Sequence, residues 1–557
     1  METAKKVYGI DLGTTYSCIA TIDEYGKAIV LKNSIGSDVT PSVVYYESQD
    51  NIVVGETAKD EVDPTRRISF IKRDIGNDNF VSKCVYPEDP VVVSSYILKK
   101  LVQDANEATM DNISDVVITC PAYFGTKEKM QTQQAGEIAG LNVLAILQEP
   151  TAAAISYGLN TKEDKTILVY DLGGGTFDVT IIKVSQSSIR TIVTGGDSRL
   201  GGADWDKEIV KYLAAQYENE TGESDILSDP ETEVNLYLLA EKAKKALSSK
   251  KLYKASVVHD GSSAKIEFTL ETFESITANH LSRTISILQD VIQAAKDKVD
   301  ADNNPVFDGT IDEVLLVGGS CRMLQVKSAV DSALGCDSKM FDPDQAVAKG
   351  AAMFAMFRKD YEIAQDEETT SGGEKKPREN RIGGDKQEEQ TTVGGSTIIN
   401  VLSRTYGIGS VKWCDENERV ISTMVFEQSE LPFSASSTFS TASEGQTSMR
   451  IDVYECVATK NDLIVDKDGS EEFSYPGIPA DEGTLLDSAT LEFGKAMPKG
   501  SSVTVSINVD TQGMMDVTAH EEETGKSILV NIKIQGVRTK EEVATAAARV
   551  SRVKVEG

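Results

Sequence analysis

The sequence predicts an α/β domain built from two similar halves, followed by a strand-rich module. The first part of this prediction depends on one type of turn, an apolar run followed by Asp, Gly and Thr, which occurs at Val7–Thr15 and returns at Ile167–Asp178. Both apolar runs are short enough for buried strands, and their repetition indicates a duplicated fold. Alternating apolar and polar residues after position 397 predict the strand-rich module.

Residues 1–362 read as alternating strands and helices. Strand-like apolar runs include Val116–Thr119 and Val314–Val317. One helix has clear start signals, because Asp229 can cap it and Pro230 suits its first turn. Its polar face is predicted to present, at helical spacing, Glu241, Lys244, Lys245 and Ser248.

A polar segment at 363–400 separates the domain from the module. It is rich in Glu, Lys, Gly, Thr and Gln and has too few large aliphatic residues to bury a core of its own. We therefore expect a flexible insertion and interdomain linker there. Residues 401–537 contain alternating runs such as Met449–Tyr454 and Val503–Val509, which are typical of a β-sandwich.

The segment 538–557 is predicted to form one short helix. Thr539 and Glu542 have the spacing of a capping box. The apolar residues after them form only a narrow stripe, which is Val543, Ala546, Ala547 and Val550.

Composition limits the class of function. The 557 residues contain 88 Asp and Glu against 57 Lys and Arg, a net charge of −31, which disfavours nucleic acid and anionic membranes as partners. Seven cysteines without a C-x-x-C pair fit a reducing compartment. Because no apolar run reaches the ~18 residues of a membrane span, we expect a cytoplasmic protein. Only three histidines are present, so the chemistry must depend on carboxylates, Lys, Thr and an ion.

The two Asp-Gly-Thr turns are suited to binding a phosphorylated ligand. Glycine allows the backbone to approach a ligand closely, and the amides and hydroxyls that remain suit phosphate oxygens. Asp11 and Asp171 suit hydrated Mg²⁺, which takes carboxylates together with substrate phosphate. Two such turns predict that one nucleotide is held between the two halves.

Three segments in this order resemble the seventy-kilodalton heat-shock chaperones of the DnaK type. They are GIDLGTTYS at Gly9–Ser17, DLGGGTFDVTI at Asp171–Ile181 and LLVGGSCRM at Leu315–Met323. The resemblance covers residues 5 to about 540. It implies an actin-like, ribonuclease H-like ATPase domain at 1–362, a β-sandwich peptide-binding domain at 401–537 and a short remnant of the helical lid at 538–557. One motif alone would also allow other actin-like proteins or sugar kinases.

The resemblance implies roles for residues around the nucleotide. It places Lys72 beside the γ-phosphate and Glu149 beside the attacking water, with Thr176 and Asp178 completing the catalytic set. Mg²⁺ would be organised by Asp11 and Asp171, and K⁺ is a further candidate ion. The residues that would bind ATP or ADP are Gly13, Thr14, Thr15, Tyr16, Gly174, Gly175, Gly202, Glu241, Lys244, Lys245, Ser248, Gly318, Gly319, Ser320, Arg322 and Asp344.

Two further sets of residues follow from the resemblance. Small and flexible apolar side chains in the module match a groove for extended apolar polypeptides, with the core of a sandwich as the less favoured alternative. They are Ile408, Val411, Phe439, Ala442, Met449 and Ile451. A relay between the domains is expected at Pro121, Lys129, Ile398 and Ile399.

The departures from the family pattern concern coupling between the domains. The linker reads Ser396–Asn400, which is less apolar than the family's Val-Leu-Leu-Leu-Asp, and Lys129 stands where Arg is usual. Gly125, Thr126 and Ala145 change the face expected to meet a J-domain co-chaperone. A J-domain co-chaperone and a nucleotide-exchange factor are candidate partners.

The resemblance predicts an ATP-dependent chaperone that couples ATP hydrolysis to binding and release of unfolded, extended apolar polypeptides. An alternative is a nucleotide-switched regulatory module with little turnover and a dedicated client. A sugar or metabolite kinase of the same superfold is a third possibility, but the linker and the strand-rich module argue against it.

Overall fold

The computed structural model describes residues 6–158, 164–185, 188–299, 303–356, 392–393, 396–412, 415–468, 471–530 and 536–557. Most of the predicted polar insertion therefore lies outside the described residues. Within the described ranges, no helix is long and apolar enough to cross a membrane.

The first lobe is a strand-rich unit with a mixed central sheet. Its strands are β1 Tyr8–Asp11, β2 Tyr16–Ile22, β3 Ala28–Val30, β4 Thr40–Pro41, β5 Val43–Tyr46, β6 Asn51–Val54, β7 Arg67–Ser69, β8 Asp115–Cys120 and β9 Asn142–Gln148. Its helices are α1 Glu56–Asp60, α2 Pro90–Thr109, α3 Thr126–Ile138 and α4 Glu149–Gly158. The central sheet has the order β3-β2-β1-β8-β9, with β4 paired to β2.

The second lobe repeats the plan with a larger helical layer. Its strands are β10 Lys165–Leu172, β11 Phe177–Val184, β12 Ser188–Asp197, β13 Leu252–His259, β14 Ser262–Thr269, β15 Glu313–Val317 and β16 Lys339–Met340. Its helices are α5 Gly202–Thr221, α6 Pro230–Leu247, α7 Leu270–Asp297, α8 Leu324–Leu334 and α9 at 346–356. As predicted, Asp229 caps α6, because its side chain accepts a hydrogen bond from the Thr232 amide.

The pairing of the strands shows the duplication directly. In the first lobe, β1 pairs antiparallel with β2 and parallel with β8. In the second lobe, β10 pairs antiparallel with β11 and parallel with β15. Asp11 and Asp171 therefore occupy equivalent positions at the carboxyl ends of two equivalent strands.

The segment before the module is built into the second lobe. Strands β17 Thr392–Val393 and β18 Ser396–Ile399 extend its sheet to the order β16-β15-β10-β11-β12-β18-β17. Strand β18 runs parallel to β12, with Ile398 opposite Ile189. The part of the predicted linker nearest the module is thus a paired strand, because an apolar pair in its centre can complete a sheet edge.

The module consists of two sheets that share one core. Its strands are β19 Thr405–Lys412, β20 Asp415–Val425, β21 Phe433–Ser440, β22 Gln446–Cys456, β23 Leu463–Asp468, β24 Glu471–Pro479, β25 Thr484–Met497, β26 Ser502–Val509, β27 Met515–Glu521 and β28 Lys526–Val530. One sheet has the order β23-β24-β20-β19-β22-β25, and the other has the order β21-β26-β27-β28. Buried side chains from both sheets pack together, among them Tyr406, Val453, Phe493 and Val505.

The C-terminal segment contains a helix and an additional strand. Helix α10 Lys540–Val550 begins with the predicted capping box. It is followed by β29 Lys554–Glu556, which joins the first lobe in a sheet of order β29-β6-β5-β7. The sequence predicts only the helix, because two alternating valines are too short a pattern to indicate a strand without a partner.

Candidate nucleotide site

A cavity of about 400 Å³ lies between the two lobes, where β1, β10 and β15 end. Most of the residues predicted to contact the nucleotide, the ion or the reacting water line this cavity. They are Asp11, Gly13, Thr14, Thr15, Tyr16, Lys72, Glu149, Asp171, Gly174, Thr176, Glu241, Lys244, Lys245, Ser248, Gly318, Gly319, Ser320, Arg322 and Asp344. Gly175, Gly202 and Asp178 are not among the lining residues.

The two glycine-rich turns contact each other across the lobes. A Cβ atom on Gly174 would lie 1.5 Å from Oγ1 of Thr15, and one on Gly175 would lie 2.2 Å from Cγ2 of Thr14. These positions therefore have no room for a side chain. Oγ1 of Thr15 is buried and makes no hydrogen bond within the described residues. Gly175 thus packs closely against Thr14, whereas Oγ1 of Thr15 is available to bind a ligand.

Lys72 and Glu149 form a buried ion pair at the inner end of the cavity. Lys72 lies in a short 3-10 turn and Glu149 is the first residue of α4. Nζ of Lys72 donates to Oε1 of Glu149 over 2.5 Å, and both side chains are buried. Burial alone would lower the pKa of Lys72, but the Glu149 and Asp11 carboxylates outweigh it and raise that pKa. The lysine is therefore held in its charged form at this end of the cavity.

More carboxylates than cations surround this pair. Burial and the Glu149 carboxylate raise the pKa of Asp11 to about 7, although Lys72 opposes the shift. Burial and Glu149 also raise the pKa values of Asp171 and Asp178 well above their usual range. Oδ1 of Asp178 is buried and makes no hydrogen bond within the described residues. Carboxylates outnumber the one lysine around this pair, so a bound cation would offset their excess negative charge.

A magnesium ion bound together with phosphate fits these residues. Within the described residues, no group of three or more His, Cys, Asp or Glu side chains is placed to hold a metal ion. Mg²⁺ in phosphate sites commonly takes only one or two carboxylates and keeps several waters. Asp11 and Asp171, at equivalent strand ends, match that requirement.

The outer end of the cavity is closed by polar contacts between the lobes. Tyr16 donates to Oε1 of Glu241 over 2.7 Å, and Lys59 pairs with Oε2 of Glu241 at 2.6 Å. Burial raises the pKa of Glu241, but Lys59 and Lys245 dominate and lower it to about 2. Glu241 is therefore ionised and holds helix α6 to the first lobe across the cavity.

Several supporting residues carry no sequence signal. Asp206 on α5 accepts from Nζ of Lys244 over 2.6 Å, and this lysine also donates to the Gly202 carbonyl over 2.8 Å. Arg73 donates to the Gly175 carbonyl over 2.8 Å and pairs with Asp204 at 2.6 Å. Gly202 is therefore held by a lysine of the cavity lining, and Gly175 is held by Arg73 from outside the lining. The only available hint is that Arg73 directly follows Lys72.

The predicted relay residues lie between the cavity and the module. Pro121 is buried directly after β8, and Lys129 on α3 donates to the Gln512 carbonyl over 3.2 Å. Ile398 is buried in a core of the two lobes, and Ile399 is half-buried beside it. A further contact was not predicted, because Thr151 donates to Oδ1 of Asn400 over 2.9 Å.

The predicted groove residues are distributed over the module. Ile408 and Ile451 are buried in the core between its two sheets, and Phe439 and Met449 pack against that core while half-buried. Val411 is half-buried in β19, and Ala442 is exposed after β21. Their role in binding a peptide remains a prediction.

Comparisons with known proteins show which family the chain belongs to. The Hsp70 protein family matches residues 7–365. The chain is 33% identical over 540 residues to the chaperone protein DnaK of Thermosipho melanesiensis, covering 94% of this chain and 80% of the relative. It is also 33% identical over 534 residues to the chaperone protein DnaK of Thermosipho africanus, covering 93% and 78%. These relatives support an Hsp70-type chaperone role with ATP binding. The chain belongs to the Hsp70 family.

Proposed function

We propose that the chain is an ATP-dependent chaperone that hydrolyses ATP to ADP and couples this reaction to binding and release of extended apolar polypeptides. In this proposal residues 1–362 are an actin-like ATPase domain and residues 401–537 are a β-sandwich that binds the polypeptide. The observation that supports it most is the buried Lys72–Glu149 pair at the inner end of an interlobe cavity.

The residues of the cavity suit hydrolysis of a nucleoside triphosphate. Phosphoryl transfer needs positioning and neutralisation of charge more than covalent chemistry. The Gly174–Gly175 backbone and the Thr14 and Thr15 hydroxyls would hold phosphate oxygens, and Lys72 would meet the terminal phosphate. Glu149 would orient the attacking water. Mg²⁺ held by Asp11 and Asp171 would neutralise charge on the phosphates.

A short path joins this site to the module. Helix α4 begins with Glu149, and two residues later Thr151 binds Asn400. Asn400 directly follows β18, which is paired with the second lobe, and precedes the first strand of the module. A shift of Glu149 during hydrolysis would therefore be transmitted through Thr151 to Asn400, at the junction between the lobes and the module. Because coupling is reciprocal, a bound polypeptide should also affect hydrolysis.

Single-turnover ATP hydrolysis by the full chain, with and without an extended apolar peptide, tests this function. We expect hydrolysis that the peptide accelerates. Thr151→Val removes the hydroxyl that binds Asn400, and should reduce the acceleration by up to about tenfold, the value of one hydrogen bond.

The matched control is Thr221→Val, because the Thr221 hydroxyl binds the Tyr217 carbonyl within its own helix. This control should keep the full acceleration. Hydrolysis that no apolar peptide accelerates would contradict the coupling. Tight nucleotide binding without hydrolysis would contradict the ATPase and would favour a nucleotide-switched binding module.

A further inference from the structure

The segment after the module crosses to the first lobe and stays there. Gln131 on α3 donates to the Gly536 carbonyl over 2.8 Å, and Gln134 exchanges two hydrogen bonds with the backbone of Arg538. Arg538 also forms an ion pair with Asp89, which caps α2. The chain therefore enters helix α10 already attached to two helices of the first lobe.

Helix α10 is held by apolar and ionic contacts. Val543 and Val550 are buried in the core of the first lobe. Arg549 contacts both oxygens of Glu88, at 2.6 and 2.9 Å, and the Glu88 side chain is only 7% exposed. If Arg549 left, this buried carboxylate would lose its charged partner and keep only the longer hydrogen bonds from the Tyr96 hydroxyl, so the contact favours the attached position.

The seven residues after the helix make a second, different attachment. Strand β29 runs parallel to β6, with Lys554 opposite Asn51, Val555 opposite Ile52 and Glu556 opposite Val53. Val553 and Val555 are buried in the first-lobe core, whereas Lys554 and Glu556 point outward and form an ion pair with each other. One face of the strand is thus apolar and buried, and the other is charged and exposed to solvent.

The backbone of this segment is also bound by side chains of the first lobe. Lys99 donates to the Val550 carbonyl over 2.9 Å and to the Val553 carbonyl over 2.7 Å. The Val550 carbonyl belongs to the last residue of α10, and the Val553 carbonyl directly precedes β29. Backbone oxygens at a helix end lack the usual helical partners. Ser34 donates to the Gly557 carbonyl over 3.1 Å.

Gly557 fits against the neighbouring strand only because it has no side chain. Its φ is +128°, and a Cβ atom there would lie 2.0 Å from the Val54 carbonyl oxygen. Any other residue would have to move away from β6. Residues 551–557 therefore fit β6 by apolar burial, by strand pairing and by a close backbone approach.

None of these contacts involves the nucleotide cavity or the predicted groove. They close an edge of the first lobe instead, since β6 would otherwise present unpaired backbone groups on the side away from β5. Docking of the module is supported separately, by β18 on the second lobe and by Lys129 on α3. The two ends of the module are thus attached to different lobes.

We propose that residues 551–557 are a latch, which adds strand β29 to the edge of β6 and thereby helps to keep α10 and the module docked on the nucleotide-binding lobes. In this proposal the module undocks together with α10 and β29. Nucleotide can shift docking only by its differential affinity for the docked and undocked arrangements. The latch therefore favours the docked arrangement with ADP as well as with ATP, and any nucleotide-dependent release of the module must outweigh it. This inference goes beyond the proposed function, and its test needs neither hydrolysis nor a peptide.

Hydrogen exchange of the full chain, measured with ATP and with ADP, tests the latch. Amides of β6 and β29 report the latch itself, and amides of β18 report docking. In the unaltered chain we expect β18 to be protected to a similar degree with both nucleotides. The double variant Val553→Asp and Val555→Asp places charge at two buried positions. It should lower the protection of β29 and of β18 at least tenfold with ADP.

The matched control is the exchange of the two outward residues, Lys554→Glu with Glu556→Lys, which keeps their ion pair and both valines. It should leave β18 protected. A second test variant, Gly557→Val, disturbs only the close approach to Val54, so it serves if the double variant loses its structure. Strands β8 and β10 should keep their protection in every folded variant, which separates release of the latch from loss of the lobes.

The proposal is overturned if β29 loses protection while β18 keeps it, because docking would then not depend on the latch. It is also overturned if the unaltered chain undocks fully with ADP while β29 stays paired. A chain that binds ATP without hydrolysing it, but whose β18 follows the latch variants, would refute the proposed ATPase and leave the latch standing.

Discussion

The nucleotide cavity and the interface between the lobes and the module differ in how their contributing residues are spaced along the sequence. The cavity is formed by short segments in which several functional residues are neighbours in sequence, such as Asp11 with Thr14 and Thr15. The interface is formed by single residues far apart in the chain. Thr126 binds the Tyr406 hydroxyl at 3.0 Å, and Lys298 donates to the Gln428 carbonyl over 2.8 Å.

This difference indicates which residues should control the rate of hydrolysis and which should control docking of the module. In the cavity, the residues expected to bind phosphate are grouped in short turns at strand ends. Nucleotide binding should therefore depend on a few positions that do not tolerate substitution. The interface has many weaker contacts, each of which shifts an equilibrium between docked and undocked arrangements. Damage to the cavity should therefore change the rate of hydrolysis strongly, and damage to the interface should change the docked population by smaller factors.

The largest effect is expected at the cavity, from Lys72→Met. If Lys72 meets the terminal phosphate as proposed, loss of its charge should lower the single-turnover rate of ATP hydrolysis about 10²–10³-fold. The matched control is Lys27→Met, because Lys27 is exposed on the first lobe, and it should hydrolyse ATP normally. An unchanged rate in Lys72→Met would show that the lysine takes no part in the reaction.

A smaller effect is expected from Lys298→Met at the interface. Nζ of Lys298 donates to the Ile192 carbonyl over 2.6 Å and to the Gln428 carbonyl over 2.8 Å, which joins the second lobe to the module. Hydrogen bonds from a charged group contribute about 1.5–3 kcal/mol. The docked population, followed by hydrogen exchange at β18, should fall about 10- to 100-fold relative to the undocked one, whereas Lys296→Met on the exposed side should change it little.

The interface should also respond to pH through Glu455. Its carboxylate on β22 lies against Glu128 on α3, with Arg404, Lys127 and the Tyr406 hydroxyl as the other charged or titratable groups around it. Burial, reinforced by the Glu128 carboxylate, raises the pKa of Glu455 to about 7. Protonated Glu455 therefore favours docking.

The sign of the pH effect follows from that direction. The favourable contribution is complete below the ordinary pKa of a glutamate and is lost as the pH rises through about 7. The docking equilibrium should weaken about tenfold between pH 6 and pH 8, measured by β18 exchange corrected for its intrinsic pH dependence. Glu455→Gln should abolish this dependence, and a dependence that persists in the variant would assign it to other groups.

The smallest effect is expected from Arg190→Gln. Arg190 pairs with Glu430 of the module at 3.0 Å, but both side chains are about 40% exposed. Exposed ion pairs contribute about 0.2–1 kcal/mol, so docking should change less than about fivefold and the change should vanish at high salt. A loss as large as that of Lys298→Met would mean that exposed contacts control the interface.

The sequence predicts the cavity well because its residues are grouped. The strand ends at Asp11 and Asp171 and the helix cap at Asp229 follow from local pattern, and Lys72 and Glu149 follow as separate candidates from the family resemblance. Their direct ion pair was not predicted. Asp206 and Arg73 were not predicted either, since a helical aspartate and a lone arginine look like ordinary surface residues until the fold places them beside Lys244 and Gly175.

The interface and the latch could not be predicted from the sequence, for a physical reason. Lys298, Gln428 and Glu455 acquire their roles only when two distant segments exclude water between them. Strand β29 is too short to be stable alone, and becomes a strand only because β6 offers an edge. The groove prediction also remains open, because Ile408 and Ile451 are buried in the core shared by the two sheets.

The pairing of β29 with β6 has a consequence for biosynthesis. Residues 51–54 leave the ribosome early, whereas residues 554–556 are made after both lobes and the module. The first lobe can fold before then, but the edge of its outer sheet at β6 stays exposed until residues 554–556 have been made. A contact between such distant segments forms late and slowly, and the open edge in the meantime is a place where nascent chains could associate.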